Sequence, residues 1–136
     1  MSGAPVDVLR NVALFAGLDN DELASVAMIF KERHFAAGET VVKEGADGAA
    51  FFLIVSGEAT VAVRGAERAS LRPGDHFGEI ALIDEGLRSS TITATTDVRC
   101  YGLTPWQFRP LVEENATIAW PMLVSLAQRL REIESR

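Results

Sequence analysis

The chain is poor in the residues that most site chemistry needs. One cysteine, Cys100, and two histidines, His34 and His76, are all that its 136 residues supply. A lone cysteine excludes an internal disulfide framework and suits a reducing compartment. Two separated histidines offer no metal-ligating cluster, and no carboxylate pair, nucleophile triad or metal spacing points to catalysis. No apolar run approaches the ~20 residues that span a bilayer. The N-terminal stretch MSGAPVDVLRN has neither a basic start nor an apolar core, so it does not read as a secretory signal. Positive charge is short too: 13 Lys and Arg against 19 Asp and Glu leave a net charge of −6. A surface that tracks nucleic-acid phosphates needs clustered cations. The arginines of AQRLREIESR alternate with glutamates, as on a solvated helix face. Repeats, linkers and low-complexity tracts are absent. These absences predict a cytoplasmic non-enzyme with no metal or cofactor, no membrane segment and no nucleic-acid partner on this chain.

What is present suffices for one domain, residues 1–136, with 48% hydrophobic residues to build a core. Three zones separate along it. Residues 1–35 read as a helical part: Asp19 and Glu22 have capping-box spacing, and Leu23, Val26, Ala27 and Phe30 recur at helical intervals. Residues 36–103 read as short strands. Eight of the 11 glycines fall between Gly38 and Gly86, the spacing of turns. FFLIV (51–55) is a buried strand, and Ala59, Val61 and Val63 alternate before a turn at Gly65. Pro73-Gly74 makes another turn, and SSTITATTDVRCYGL is extended. Many short strands with no long helix between them predict an antiparallel barrel, roll or jelly roll. Residues 104–136 return to helix. Thr104, Pro105 and Gln107 suit N-cap, N1 and N3 of a short helix ending near EEN. A second helix is expected after Thr117, with Pro121 in its first turn and a stripe of Met122, Leu126, Leu130 and Ile133 packed in the core. Trp106 and Trp120, at the helix starts, are expected to pack. His76 reads as a half-buried strand-end residue and Cys100 as core. PGDH (73–76) is superficially like a cupin metal motif, but the His-x-His cluster that motif needs is missing.

The stretch FGEIALIDEGLRSST (77–91) is less easily assigned to packing. Gly78 permits close backbone approach, and EIAL can form one helical turn whose Ile80 and Ala81 N–H groups would face an anion. Arg88 offers a planar fork of donors for two phosphate oxygens, and Ser89 and Ser90 add short hydroxyls. Glu79 would repel a phosphate unless it held a neutral donor such as a sugar hydroxyl. A ribose cyclic phosphate satisfies both groups. From the residues alone a second reading stands equally: a turn at Gly78, Glu79 in water and Arg88 on a surface loop.

FGEIAL followed by RSSTITA resembles the phosphate-binding cassette of the cyclic nucleotide-binding domain family. VVKEGADGAAFFLIVSG (41–57) resembles that family's first signature, and the likeness runs over essentially the whole chain. It implies a β-roll with N-terminal helices, a cassette at 77–91, and hinge and lid helices over 104–136. Further, it implies that Gly78 meets the ligand through its backbone and that Glu79 accepts from the ribose 2′-hydroxyl. Ala81 would donate its N–H to phosphate, Arg88 would pair with the charged oxygen, and Ser89 would add a contact. Val61 and Leu71 would line the base pocket. Ser90 stands where the family usually has alanine, so its hydroxyl needs a partner. Ile133 and Glu134 stand near the level where the family caps the purine and do not resemble the Thr-Ser pair that one branch of it uses there, which leaves the base open between cAMP, the expected ligand, and cGMP. Family members carry an output element beyond this region, whereas this sequence stops at Arg136. A stand-alone sensor is expected, signalling by lid-helix movement to an effector protein or through a homodimer along the C-terminal helix. The alternative is a domain of the same fold that has lost its ligand and serves as a protein-interaction module.

Overall fold

The computed structural model describes residues 4–45, 50–78, 81–84 and 88–135. They fall into two compact units, one built from residues 1–30 and 106–136 and the other from residues 31–105.

The first unit is helical. Its N-terminal part holds α1 (Val6–Leu9), a 3-10 turn (Ala13–Phe15) and α2 (Asn20–Met28). The expected capping box is formed: the Asp19 side chain accepts from the Glu22 N–H at 2.8 Å, and the Glu22 carboxylate accepts from the Asp19 N–H at 3.0 Å. Two otherwise unpaired donors are thereby satisfied at the helix start. Leu23, Val26, Ala27 and Phe30 are all buried, as their spacing predicts. Phe15 meets Phe30 edge-on at 6.5 Å and Phe108 at 6.3 Å.

The second unit carries eight strands: β1 (Lys31–Phe35), β2 (Thr40–Val42), β3 (Phe51–Ser56), β4 (Ala59–Val63), β5 (Ala66–Leu71), β6 (His76–Phe77), β7 (Thr91–Ala94) and β8 (Val98–Leu103). They form two four-stranded antiparallel sheets, ordered β1-β8-β3-β6 and β2-β7-β4-β5. One apolar cluster draws on both sheets: Phe35, Phe52, Ile54, Ala59, Ile92, Ala94, Val98 and Cys100. This is the mainly β fold with flanking helices, an antiparallel roll, that the glycine punctuation predicts. Strand β8 shows why the pattern was legible, since Val98 and Cys100 point inward while Arg99 lies outside.

Strand β1 corrects the expected boundary at residue 35. Lys31–Phe35 pairs with β8 along its whole length, Lys31 opposite Gly102 and Phe35 opposite Val98. As an edge strand it buries Phe35 alone, so backbone pairing rather than side-chain pattern makes it a strand.

The C-terminal helices are α4 (Pro105–Glu114), which starts where the proline predicted, and α5 (Ala116–Glu134). Helix α5 begins before Thr117, and Pro121 lies inside it rather than in its first turn. The Asn115 side chain donates to the Leu111 carbonyl at 2.8 Å at the end of α4, and the non-helical backbone of Asn115 (φ −132°, ψ 87°) separates α4 from α5. The space for Pro121 comes from Gly17, where a Cβ would stand 3.0 Å from the proline Cβ. The expected core stripe is only partly covered: Met122 is buried, Leu126 half-buried, and Leu130 and Ile133 exposed. Ser125 is buried in their stead, its hydroxyl donating to the Ala13 carbonyl. Trp106 and Trp120 are also exposed, at 68% and 69%, and do not pack as expected.

Cys100 sits in the core as predicted, and burial pushes its thiol up to about 11 against a weaker opposing effect of Arg33. At pH 8 the thiolate is then roughly one part in a thousand. A soluble disulfide reagent is expected to modify the folded chain at least ~100-fold more slowly than the denatured one. Equal rates would contradict this placement.

Candidate functional site

The site begins where β6 ends. Phe77 pairs with Phe52 of β3, and the chain then passes to Gly78, while Ala50 lies just ahead of β3. Gly78 has φ +89°, a region L side chains rarely adopt. A Cβ there would stand 2.2 Å from the Ala50 carbonyl oxygen and 3.3 Å from Arg88 Nη1. Only glycine fits, and its backbone therefore lies directly against the arginine fork.

Arg88 is half-buried, and its Nη2 donates to the Ala50 carbonyl at 2.9 Å. Burial lowers the guanidinium pKa below its ordinary value, yet an arginine remains protonated at any physiological pH. The bond to Ala50 takes one of the five N–H donors and sets the plane of the fork. The backbone of Arg88 is held as well, its carbonyl accepting from the Gly45 N–H at 2.8 Å. Three residues on, Thr91 enters β7 opposite Ala62 of β4. Ser89 is exposed and Ser90 half-buried.

Gly78 and Arg88, placed in one site by sequence reasoning, are thus brought together. Ala81 lies in a single helical turn, α3 (Ala81–Asp84). Glu79 and Ile80 lie outside the described residues. Val61 and Leu71 are half-buried on β4 and β5 and pack against the interior cluster. They share the inward face, since Leu71 pairs with the buried Ala59 two residues before Val61. Their positions join an apolar wall to the roll interior.

Sequence reasoning missed Ala50 and the Glu44–Gly45 segment. Ala50 acts through its carbonyl, which leaves no side-chain signature. Glu44 and Gly45 act through backbone N–H groups and one carboxylate, and the glycine alone marks a turn there. Elsewhere on the roll, an open groove of about 510 Å³ runs beside His34, Asp97 and Arg99, and shares no residue with Gly78, Ala50 or Arg88. Among the described residues no group of three His, Cys, Asp or Glu could hold a metal ion, and no helix is long and apolar enough to cross a membrane.

Residues 32–115 match the model of the cyclic nucleotide-binding domain. A cAMP-dependent protein kinase regulatory subunit from Eremothecium gossypii is 36% identical over 107 residues, covering 78% of this chain and 23% of that protein. Among solved structures, the N-terminal domain of a transcriptional regulator from Streptomyces coelicolor A3(2) superposes with a TM-score of 0.88 at 30% identity, over 95% of this chain and 96% of the other. A cAMP-bound PfPKA-R structure aligns with a TM-score of 0.73 at 26% identity, over 96% of this chain and 44% of that one. The chain therefore spans about a quarter of the length of the kinase subunit that it resembles.

Proposed function

Because this chain belongs to the cyclic nucleotide-binding domain family, we propose that it is a cytoplasmic, non-enzymatic sensor that binds cAMP, with cGMP as the competing ligand, in the cassette at 77–91. The observation that carries the reading is the Arg88 fork held at the Gly78 backbone by the Ala50 carbonyl. A fixed guanidinium matches a phosphodiester, which carries a single negative charge over two equivalent oxygens. Gly78 lets the backbone approach the ligand, and Ile80 and Ala81 supply N–H donors to phosphate. Ser89 and Ser90 add hydroxyl contacts. Glu79 accepts from the ribose 2′-hydroxyl, which distinguishes a ribose from a deoxyribose. Val61 and Leu71 give the base an apolar wall. Both the kinase subunit's name and the neighbour's bound cAMP support adenine over guanine.

The output of the sensor is read as movement of the hinge and lid helices at 104–136, passed to an effector protein or to a second copy of the chain. Helix α5 supports this: Trp120, Leu123, Val124, Leu130 and Ile133 all remain exposed along it. For such coupling the nucleotide must bind one helix arrangement more tightly than the other. The same exposed residues are what the ligand-free interaction module would show, so the ligand test separates the two readings.

That test is thermal. A ligand at 100 times its Kd stabilises the folded state by about 2.7 kcal/mol. For a chain of this size the midpoint should rise by roughly 6–12 °C. Saturating cAMP is expected to give that shift and 5′-AMP, a dianion without the cyclic ester, a much smaller one. No shift with either cyclic nucleotide would favour the interaction module.

A further inference from the structure

We propose that Glu44 is a positioning residue for nucleotide binding, tying the β4–β5 turn to the backbone that carries Arg88. The inference rests on the cyclic nucleotide reading above and adds a residue to it. Three hydrogen bonds converge on the Glu44–Gly45 step. The Glu44 carboxylate accepts from the Arg64 N–H at 2.8 Å. Its own N–H donates to Thr91 Oγ1 at 3.0 Å. The adjoining Gly45 N–H donates to the Arg88 carbonyl at 2.8 Å.

Glu44, Gly45 and Arg88 lie outside the strands of the roll. Strand β7 pairs with β4 only as far back as Thr91, so Ser90, Ser89 and Arg88 run beyond the ladder. Gly45, with φ +79°, turns its N–H onto that overhang. Among the described residues, its neighbour Glu44 anchors Gly45. Glu44 is half-buried, and its carboxylate is anchored on the two-residue turn Arg64-Gly65 that joins β4 to β5. Both turn residues have positive φ, 53° at Arg64 and 79° at Gly65, the geometry of a type I′ hairpin. A non-glycine residue is uncommon there, and the charge-assisted bond to its N–H stabilises it.

One side chain thus links the hairpin that presents Val61 and Leu71 to the segment that presents Arg88. It sets how far the phosphate-binding fork stands from the apolar wall. Because the link acts on Arg88, its loss should weaken cAMP and cGMP alike. It should also matter only while the arginine is there to be positioned.

The experiment is calorimetric titration of the full chain with cAMP and cGMP, for wild type and for three substitutions at one position, with melting curves of each. Glu44→Ala removes the acceptor, and Glu44→Asp withdraws it by one methylene while keeping the charge. Glu44→Gln keeps an oxygen at the same reach. Glu44→Ala and Glu44→Asp are expected to weaken both nucleotides by roughly 5- to 20-fold, while Glu44→Gln stays within about threefold of wild type, the spread between a charged and a neutral acceptor. In an Arg88→Ala background Glu44→Ala should have no further effect on affinity. Should Glu44→Ala fail to fold, the Asp and Gln pair gives the same contrast. If wild type binds and a folded Glu44→Ala or Glu44→Asp binds equally well, the positioning role is overturned and the sensor reading survives. The role also falls if Glu44→Gln is as weak as Glu44→Ala, or if the effects of Glu44→Ala and Arg88→Ala add. Wild-type protein that binds neither nucleotide overturns the sensor reading, and this proposal with it.

Discussion

Arg88→Ala is expected to weaken cAMP binding by roughly 10- to 150-fold, about 1.5–3 kcal/mol, the range for hydrogen bonds to a charged group. The substitution removes the cation proposed to meet the phosphodiester and also the donor to the Ala50 carbonyl. Those two losses differ in their readout. Loss of the Ala50 bond lowers the melting point of the free chain, whereas loss of the phosphate contact lowers affinity at temperatures where the chain is fully folded. Arg88→Lys separates them further. Lysine restores a positive charge but not the planar fork, so part of the affinity should return without the bidentate contact. Titration calorimetry on all three proteins measures this. Wild-type affinity in a folded Arg88→Ala variant would remove the phosphate from this position.

Gly78→Ala should have the larger effect on the fold. The added methyl group would stand 2.2 Å from the Ala50 carbonyl oxygen, and φ is +89° there. Backbone atoms cannot swing aside as a flexible side chain can, so the segment after β6 must shift. The positive φ costs about 1–2 kcal/mol for an L-residue, and overpacking a further ~1–3 kcal/mol. A fall in the melting midpoint of roughly 6–16 °C follows. Because the shift displaces Gly78 from the arginine fork, cAMP affinity should fall too, even well below the new midpoint. An unchanged melting curve would mean that the Ala50 carbonyl and Gly78 are not in contact.

Much of the fold was legible because it depends on side-chain type. Asp19 and Glu22 form the capping box their spacing predicts, and the glycines and Pro73-Gly74 mark the turns between strands. Lys31–Phe35 was not legible. Four of its five side chains are exposed, and its strand character comes from pairing with β8. Helix α5 misled for a different reason. Apolar residues lie on more than one of its faces, and sequence periodicity cannot say which of them is covered. Met122 is, whereas Leu130 and Ile133 are not.

The candidate site divides along the same line. Gly78 and Arg88 could be chosen by chemistry, one for permissive backbone and the other for its fork. What joins them is the carbonyl of Ala50 and the N–H of Gly45, atoms that every residue carries. Backbone partners leave no trace in residue identity. Glu44 is intermediate. Its carboxylate is visible in the sequence, yet its partner is the N–H of Arg64 across a turn, and only the fold places the two together.

Calorimetric titration of the wild-type chain with cAMP and cGMP tests the account most directly. It predicts saturable heat for at least one of them, about one nucleotide per chain, with cAMP the tighter. Absence of heat with both, from protein whose melting curve shows it to be folded, would contradict it.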